Sequence, residues 1–143
     1  MLFRSTKDVL EFVAEHDLGV LGEVRAAVTY QDSCHLVHGQ KITSAPRRVM
    51  AAIPGIDLRE LAAPDRCCGS AGLYNLVQRN MANRLLARKM DDVAATRADV
   101  IATANPGCMM QLEAGLRQRN IEARVVHVVE LLDQAMARAP QDT

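Results

Sequence analysis

The chain contains no tryptophan, and two tyrosines and two phenylalanines are its only large aromatics in 143 residues. Its core must therefore be built from aliphatic side chains and from seven methionines, a composition that suits helices packed on a buried sheet. Charge of one sign is also missing: 17 basic residues balance 17 acidic ones. No basic block is present to follow a phosphate backbone, so nucleic acid is not an expected partner. No apolar run approaches the roughly 18 to 20 residues of a membrane span. The opening MLFRSTKDVLEF carries acidic residues and no signal-peptide apolar stretch, so the expected location is cytoplasmic. Repeats of fixed period and low-complexity segments are absent as well. One domain over 1–143 is expected, with an N-terminal helix and loop over 1–23 and a frayed tail over 139–143.

What is present alternates between two periodicities. Ser5 and Asp8 resemble a capping box, and Val9, Leu10 and Val13 then recur at helical spacing to about Asp17. RAAVTYQ, 25–31, reads as a first strand whose end delivers Ser33, Cys34 and His35. Pro46 suits the first turn of a helix that Pro54-Gly55 stops. IDLRELA, 56–62, predicts a second strand. One long helix is expected over 73–96, with Leu73, Leu76, Val77, Met81, Leu85, Met90 and Val93 as its apolar stripe. DVIATA, 99–104, reads as a third strand turned by NPGC into a helix, and RVVHVV, 124–129, as a fourth before the helix of ELLDQAMARA. The expected fold is a layered α/β domain with a four-stranded, mainly parallel sheet flanked by helices.

Ligands of such sheets collect beyond the carboxyl ends of the strands. Cys34, Cys67, Cys68 and Cys108 each follow a predicted strand by a few residues, so all four thiols are expected at that edge. A reducing compartment argues against disulfides. Four converging thiolates suit an iron-sulfur cluster or a structural zinc. The spacing C-x32-CC-x39-C departs from the paired knuckles usual for zinc. Adjacent Cys67 and Cys68 need irregular backbone to face one way, which Gly69 and Gly72 permit. A helix N-terminus at Cys108 is expected to lower its thiol pKa. The rival readings are inert core cysteines, a strained vicinal disulfide, and a nucleophile built on Cys34 and His35. His35 and His38 could also serve as ligands, whereas His127, within a strand, reads as structural.

The phrases VTYQDSCHLVHGQ, CCGSAGLYN, NPGCMMQL and VVHVVELLDQA resemble the cysteine-rich CCG domain family, in particular the second CCG domain of the glycolate oxidase iron-sulfur subunit. The resemblance runs from about Val24 to Ala135. It implies a 4Fe-4S cluster held by Cys34, Cys67, Cys68 and Cys108, easily lost on purification in air. It further implies partners: a flavin subunit that oxidises glycolate, and the ferredoxin module and first CCG domain that family members normally carry. Electrons would then pass towards a membrane acceptor, placing the complex at the inner face of the membrane with no transmembrane segment in this chain. Gln111 stands where the full pattern has a fifth cysteine, which favours electron transfer over the disulfide chemistry of heterodisulfide reductase relatives. The alternatives are a structural zinc-binding interaction module and a thiol/disulfide redox enzyme of the heterodisulfide reductase kind.

Overall fold

A computed structural model describes residues 6–140. Four strands, β1 (Ala26–Gln31), β2 (Ile56–Leu58), β3 (Val100–Thr103) and β4 (Arg124–His127), form one sheet in the order β2-β1-β3-β4. Every pairing is parallel, with Gln31 opposite Thr103 and Thr103 opposite His127. The helices are α1 (Val9–Ala14), α2 (Ala45–Ala51), α3 (Tyr74–Val77), α4 (Arg79–Thr96), α5 (Pro106–Arg119) and α6 (Val128–Ala137). A π-helical turn, His35–Gln40, follows Cys34.

The alternation of each strand sorts its side chains between two cores. Val28, Tyr30, Val100, Ala102 and Val126 join Leu10, Val49, Met50, Leu131 and Ala135 from α1, α2 and α6. On the other face Ile101 meets Leu86, Met90 and Val93 of α4 and Leu112 and Leu116 of α5. Helices α4 and α5 approach closely at Gly115, where an added Cβ would lie 2.7 Å from Met90 Sδ. The strand order reverses direction between β1 and β3, so the chain leaves those two strands towards opposite faces. That divergence opens a crevice at their carboxyl ends.

The expected α/β sheet is present, with differences that have physical causes. The second strand ends at Leu58 because Leu61 turns into the α4–α5 core. The long helix over 73–96 is broken at Gln78, whose φ of −120° and ψ of 49° are not helical. Its apolar stripe is also displaced. Leu73, Leu76, Val77 and Met81 are exposed, whereas Ala82, Leu86, Met90 and Val93 are buried. The fourth strand stops at His127, because that residue caps α6: its Nδ1 accepts from Val129 N at 3.3 Å while Glu130 Oε1 accepts from His127 N at 2.8 Å. Asp8 caps α1 through Leu10 N, and the Ser5 half of the expected capping box lies outside the described residues, as does 141–143 of the expected frayed tail. None of the described helices is long and apolar enough to cross a membrane.

The displaced stripe has a direct test. Leu86→Ala should lower stability in a urea melt by about 2–5 kcal/mol, the cost of a core cavity. Leu76→Ala should change it by no more than about 0.5 kcal/mol.

Candidate metal centre

Three loops meet in the crevice. The first leaves β1 with Gln31, Asp32, Ser33 and Cys34. Ser33 is fully buried, and its Oγ lies 3.3 Å from Thr103 Oγ1 and accepts from Ala104 N at 3.3 Å. The exits of β1 and β3 are thereby stitched together. The loop from β3 presents Cys108 in the first turn of α5, capped by Asn105, whose Oδ1 accepts from Cys108 N at 3.1 Å. Asn105 Nδ2 also meets His35 Nδ1 at 3.4 Å, so one side chain bridges the first and third loops.

The second loop carries Cys67 and Cys68 and is tied down just before them. Asp32 N donates to Pro64 O (3.1 Å), Gln31 Nε2 to Arg66 O (3.2 Å) and Lys89 Nζ to Ala63 O (2.6 Å). Just after them Gly69 takes φ +90°, where a Cβ would sit 2.5 Å from Ala82 O. No other residue fits that close approach in that conformation. Gly69 N donates to Cys67 Sγ at 3.3 Å. Gly72, at φ +59°, supplies the second left-handed residue.

As a result Cys34, Cys67, Cys68 and Cys108 line one cavity, together with Gln31, Asp32, Ser70 and Ala71. All four are free thiols: Cys68 and Cys108 are buried, Cys67 is half-buried and Cys34 is exposed. The cavity measures about 10 Å³, room for one water at most. Among the described residues no three His, Cys, Asp or Glu side chains cluster tightly enough to hold a single metal ion. The donor set fits a broader soft group that bridges thiolates from separate loops. Ala71, the last lining residue of the second loop, opens a stretch, 71–81, in which no side chain is buried.

The thiols are not electrostatically equivalent. Hydrogen bonding from Cys108, helped by the N–H of Ser70, draws the Cys68 thiol down to about 7. That shared proton and burial push Cys108 upward, opposite to the helix-end expectation. Burial also raises Cys67, against the pull of the Gly69 N–H.

An arginine braces the crevice from the opposite face. Arg47 pairs with Asp32 (Nη1–Oδ1 2.9 Å, Nη2–Oδ2 3.1 Å) and with Glu60 (Nε–Oε1 2.7 Å, Nη2–Oε2 2.9 Å), and its guanidinium lies 5.1 Å from the centre of the Tyr30 ring. It thereby joins the start of the Cys34 loop to the start of the CCG loop. Sequence reasoning missed Gln31, Arg47, Ser70 and Lys89. Only Lys89 left a signal there, being a charge at a position of the buried α4 stripe. His35 and His38 are exposed and line no part of the cavity. Gln111 is half-buried one turn beyond Cys108 and is likewise outside the lining.

The model of the cysteine-rich domain family CCG matches residues 28–113, a span that holds all four thiols. The chain is 40% identical over 122 residues to the probable glycolate oxidase iron-sulfur subunit of Bacillus subtilis, covering 84% of this chain and 28% of that protein. It is 26% identical over 131 residues to lactate utilization protein A of Oceanobacillus iheyensis, covering 92% and 53%. It is 31% identical over 130 residues to a subunit of the CoM/CoB fumarate reductase of Methanothermobacter marburgensis, covering 90% and 27%. The chain thus spans only a quarter to a half of the length of these relatives.

Two substitutions test the bracing. Gly69→Ala should cost about 1–3 kcal/mol through backbone strain and contact with Ala82. Arg47→Met leaves the buried Asp32 carboxylate without its partner and should cost about 1–3 kcal/mol. Thermal melts of the metal-free protein measure both.

Proposed function

Because the chain belongs to the cysteine-rich CCG domain family, we propose that it is a single CCG domain that binds a 4Fe-4S cluster and transfers electrons within a larger oxidoreductase. The supporting observation is the convergence of four free thiols, from three loops, on one cavity. Four thiolates match one terminal ligand for each iron of a cubane cluster. When bound, the cluster accepts and releases single electrons. Gln111 adds no fifth thiolate, in keeping with electron transfer and with no disulfide chemistry at the site.

The protein's own part is to hold and tune. Cys34, Cys67, Cys68 and Cys108 supply the ligands, and buried Cys68 and Cys108 keep water from the inner side. The N–H groups of Gly69 and Ser70 point at the sulfurs of Cys67 and Cys68, where they favour the more negative, reduced state. Cys34 is the exposed ligand, so the outer edge beside it is where electrons arrive and leave.

The partners in this reading are a flavin subunit that oxidises glycolate or a related 2-hydroxy acid, and the ferredoxin and first CCG portions of the assembly. The names of the relatives, glycolate oxidase and lactate utilization proteins among them, support that class of substrate. The complex would work in the cytoplasm, at the inner face of the membrane.

Anaerobic reconstitution with ferrous iron and sulfide should load about four of each per chain and give broad visible absorption. Serine at any one of positions 34, 67, 68 and 108 should reduce that loading at least severalfold, and Gln111→Ala should leave it unchanged. Zinc at about one per chain without visible absorption would instead establish the structural zinc alternative.

A further inference from the structure

Just past the thiol cavity the chain leaves an apolar face uncovered. Leu73 is 75% exposed, Val77 72% and Leu76 59%, and Tyr74 and Met81 are exposed with them. None of the five belongs to either core. No side chain of 71–81 is buried, so the segment stands out from the body of the domain. A globular domain rarely shows so many large apolar side chains in nine consecutive residues unless something covers them.

Charge around this face has one sign. The chain as a whole balances acidic against basic residues, yet no acidic residue lies between Asp65 and Asp91. Of the five basic residues in that span, Arg66 pairs with Asp92 and Lys89 is buried. Arg79, Arg84 and Arg88 are exposed, and among the described residues none of the three forms an ion pair. Met81, Arg84 and Arg88 recur at i, i+3 and i+7 of α4 and share one of its faces, so arginines carry on where the apolar side chains end. Their long stems can lie along an apolar surface while the charge stays in water. A second copy docked face to face would bring two arginine frames of the same sign together, which opposes pairing. A partner protein meets its mate with a pattern of both signs. An apolar projection framed by one sign instead matches a surface that is uniformly negative over an apolar layer, the make-up of a bilayer containing anionic lipid.

We propose that 73–88 is a membrane-docking face: Leu73, Leu76, Val77 and Met81 enter the headgroup boundary of an anionic bilayer, and Arg79, Arg84 and Arg88 bind its lipid phosphates. None of these residues lines the thiol cavity, so the contact stands without the iron-sulfur reading. Ala71, two residues before Leu73, does line it together with Cys34. The docked chain therefore holds its thiol site next to the lipid surface.

The test sediments the full metal-free chain with vesicles of about seven parts phosphatidylcholine to three of phosphatidylglycerol, and with vesicles of phosphatidylcholine alone. Binding to the anionic vesicles should be at least about tenfold tighter, and should weaken severalfold between about 0.1 and about 0.5 M salt. Leu76→Ser with Val77→Ser, both outside the cores, should weaken it at least about tenfold, and Arg84→Gln with Arg88→Gln about tenfold. Val20→Ser, at an equally exposed apolar residue in the loop that leads into β1, should leave it unchanged. The chain has no tryptophan, so a Leu76→Trp reporter should shift its emission to the blue on anionic vesicles alone. Equal binding to the two kinds of vesicle, full binding by either double variant, or unchanged emission of the reporter overturns the proposal. A dimer in sedimentation equilibrium that the serine pair abolishes identifies a second copy as the occupant and overturns it too. Cluster loading is read separately, so none of these outcomes bears on the iron-sulfur reading.

Discussion

The thiol cavity depends on the parallel alignment of β1 and β3, with Gln31 opposite Thr103. Parallel strands send their exits to the same edge, and the reversal of strand order between these two makes their following segments diverge. Cys34 and Cys108 are therefore close in space, although 73 residues lie between them. A one-residue slip in register would turn Gln31 and Thr103 into the opposite core and move the whole first loop. The Ser33 hydroxyl, shared with Thr103 and Ala104, fastens that register at the point where it matters most.

The CCG loop lacks such support from a sheet and is held by side chains and backbone geometry. Gln31, Asp32 and Lys89 reach it before the cysteines, and Gly69 lets it press on α4 after them. Arg47 adds a brace that spans a buried and an exposed carboxylate. These tethers come from β1, α2 and α4, so both cores contribute to the site. Ser70 is buried as well, and beyond it no side chain is buried until Ala82.

Periodicity in the sequence locates all four strands and the major helices to within a few residues, because β1 and β3 carry apolar, β-branched runs and α5 and α6 have clear starts. The four thiols are legible as a group from their position after strands. Other features are not. The break at Gln78 has no glycine or proline to announce it, and a stripe of Leu73, Leu76, Val77 and Met81 looks as buried as one of Ala82, Leu86, Met90 and Val93. Only the packing of α4 on α5 selects the second set. The direction of the Cys108 shift escapes sequence reasoning for a related reason: its helix-end position is local, whereas its proton-sharing neighbour, Cys68, is 40 positions away. Arg47 could not be identified from sequence, since its partners Asp32 and Glu60 are remote and ordinary in kind.

The brevity of the second strand has a consequence for the chain in solution. β2 contributes three residues to the outer side of β1, and its central Asp57 pairs with Arg59, just beyond the strand, at 2.8 Å. Arg59 then covers the carbonyls of Thr96 and Arg97. A border this short, and charged, offers little for a foreign strand to pair with. The opposite border, β4, is only four residues long and begins with an exposed arginine. Both rims of the sheet thus discourage strand-by-strand growth into aggregates.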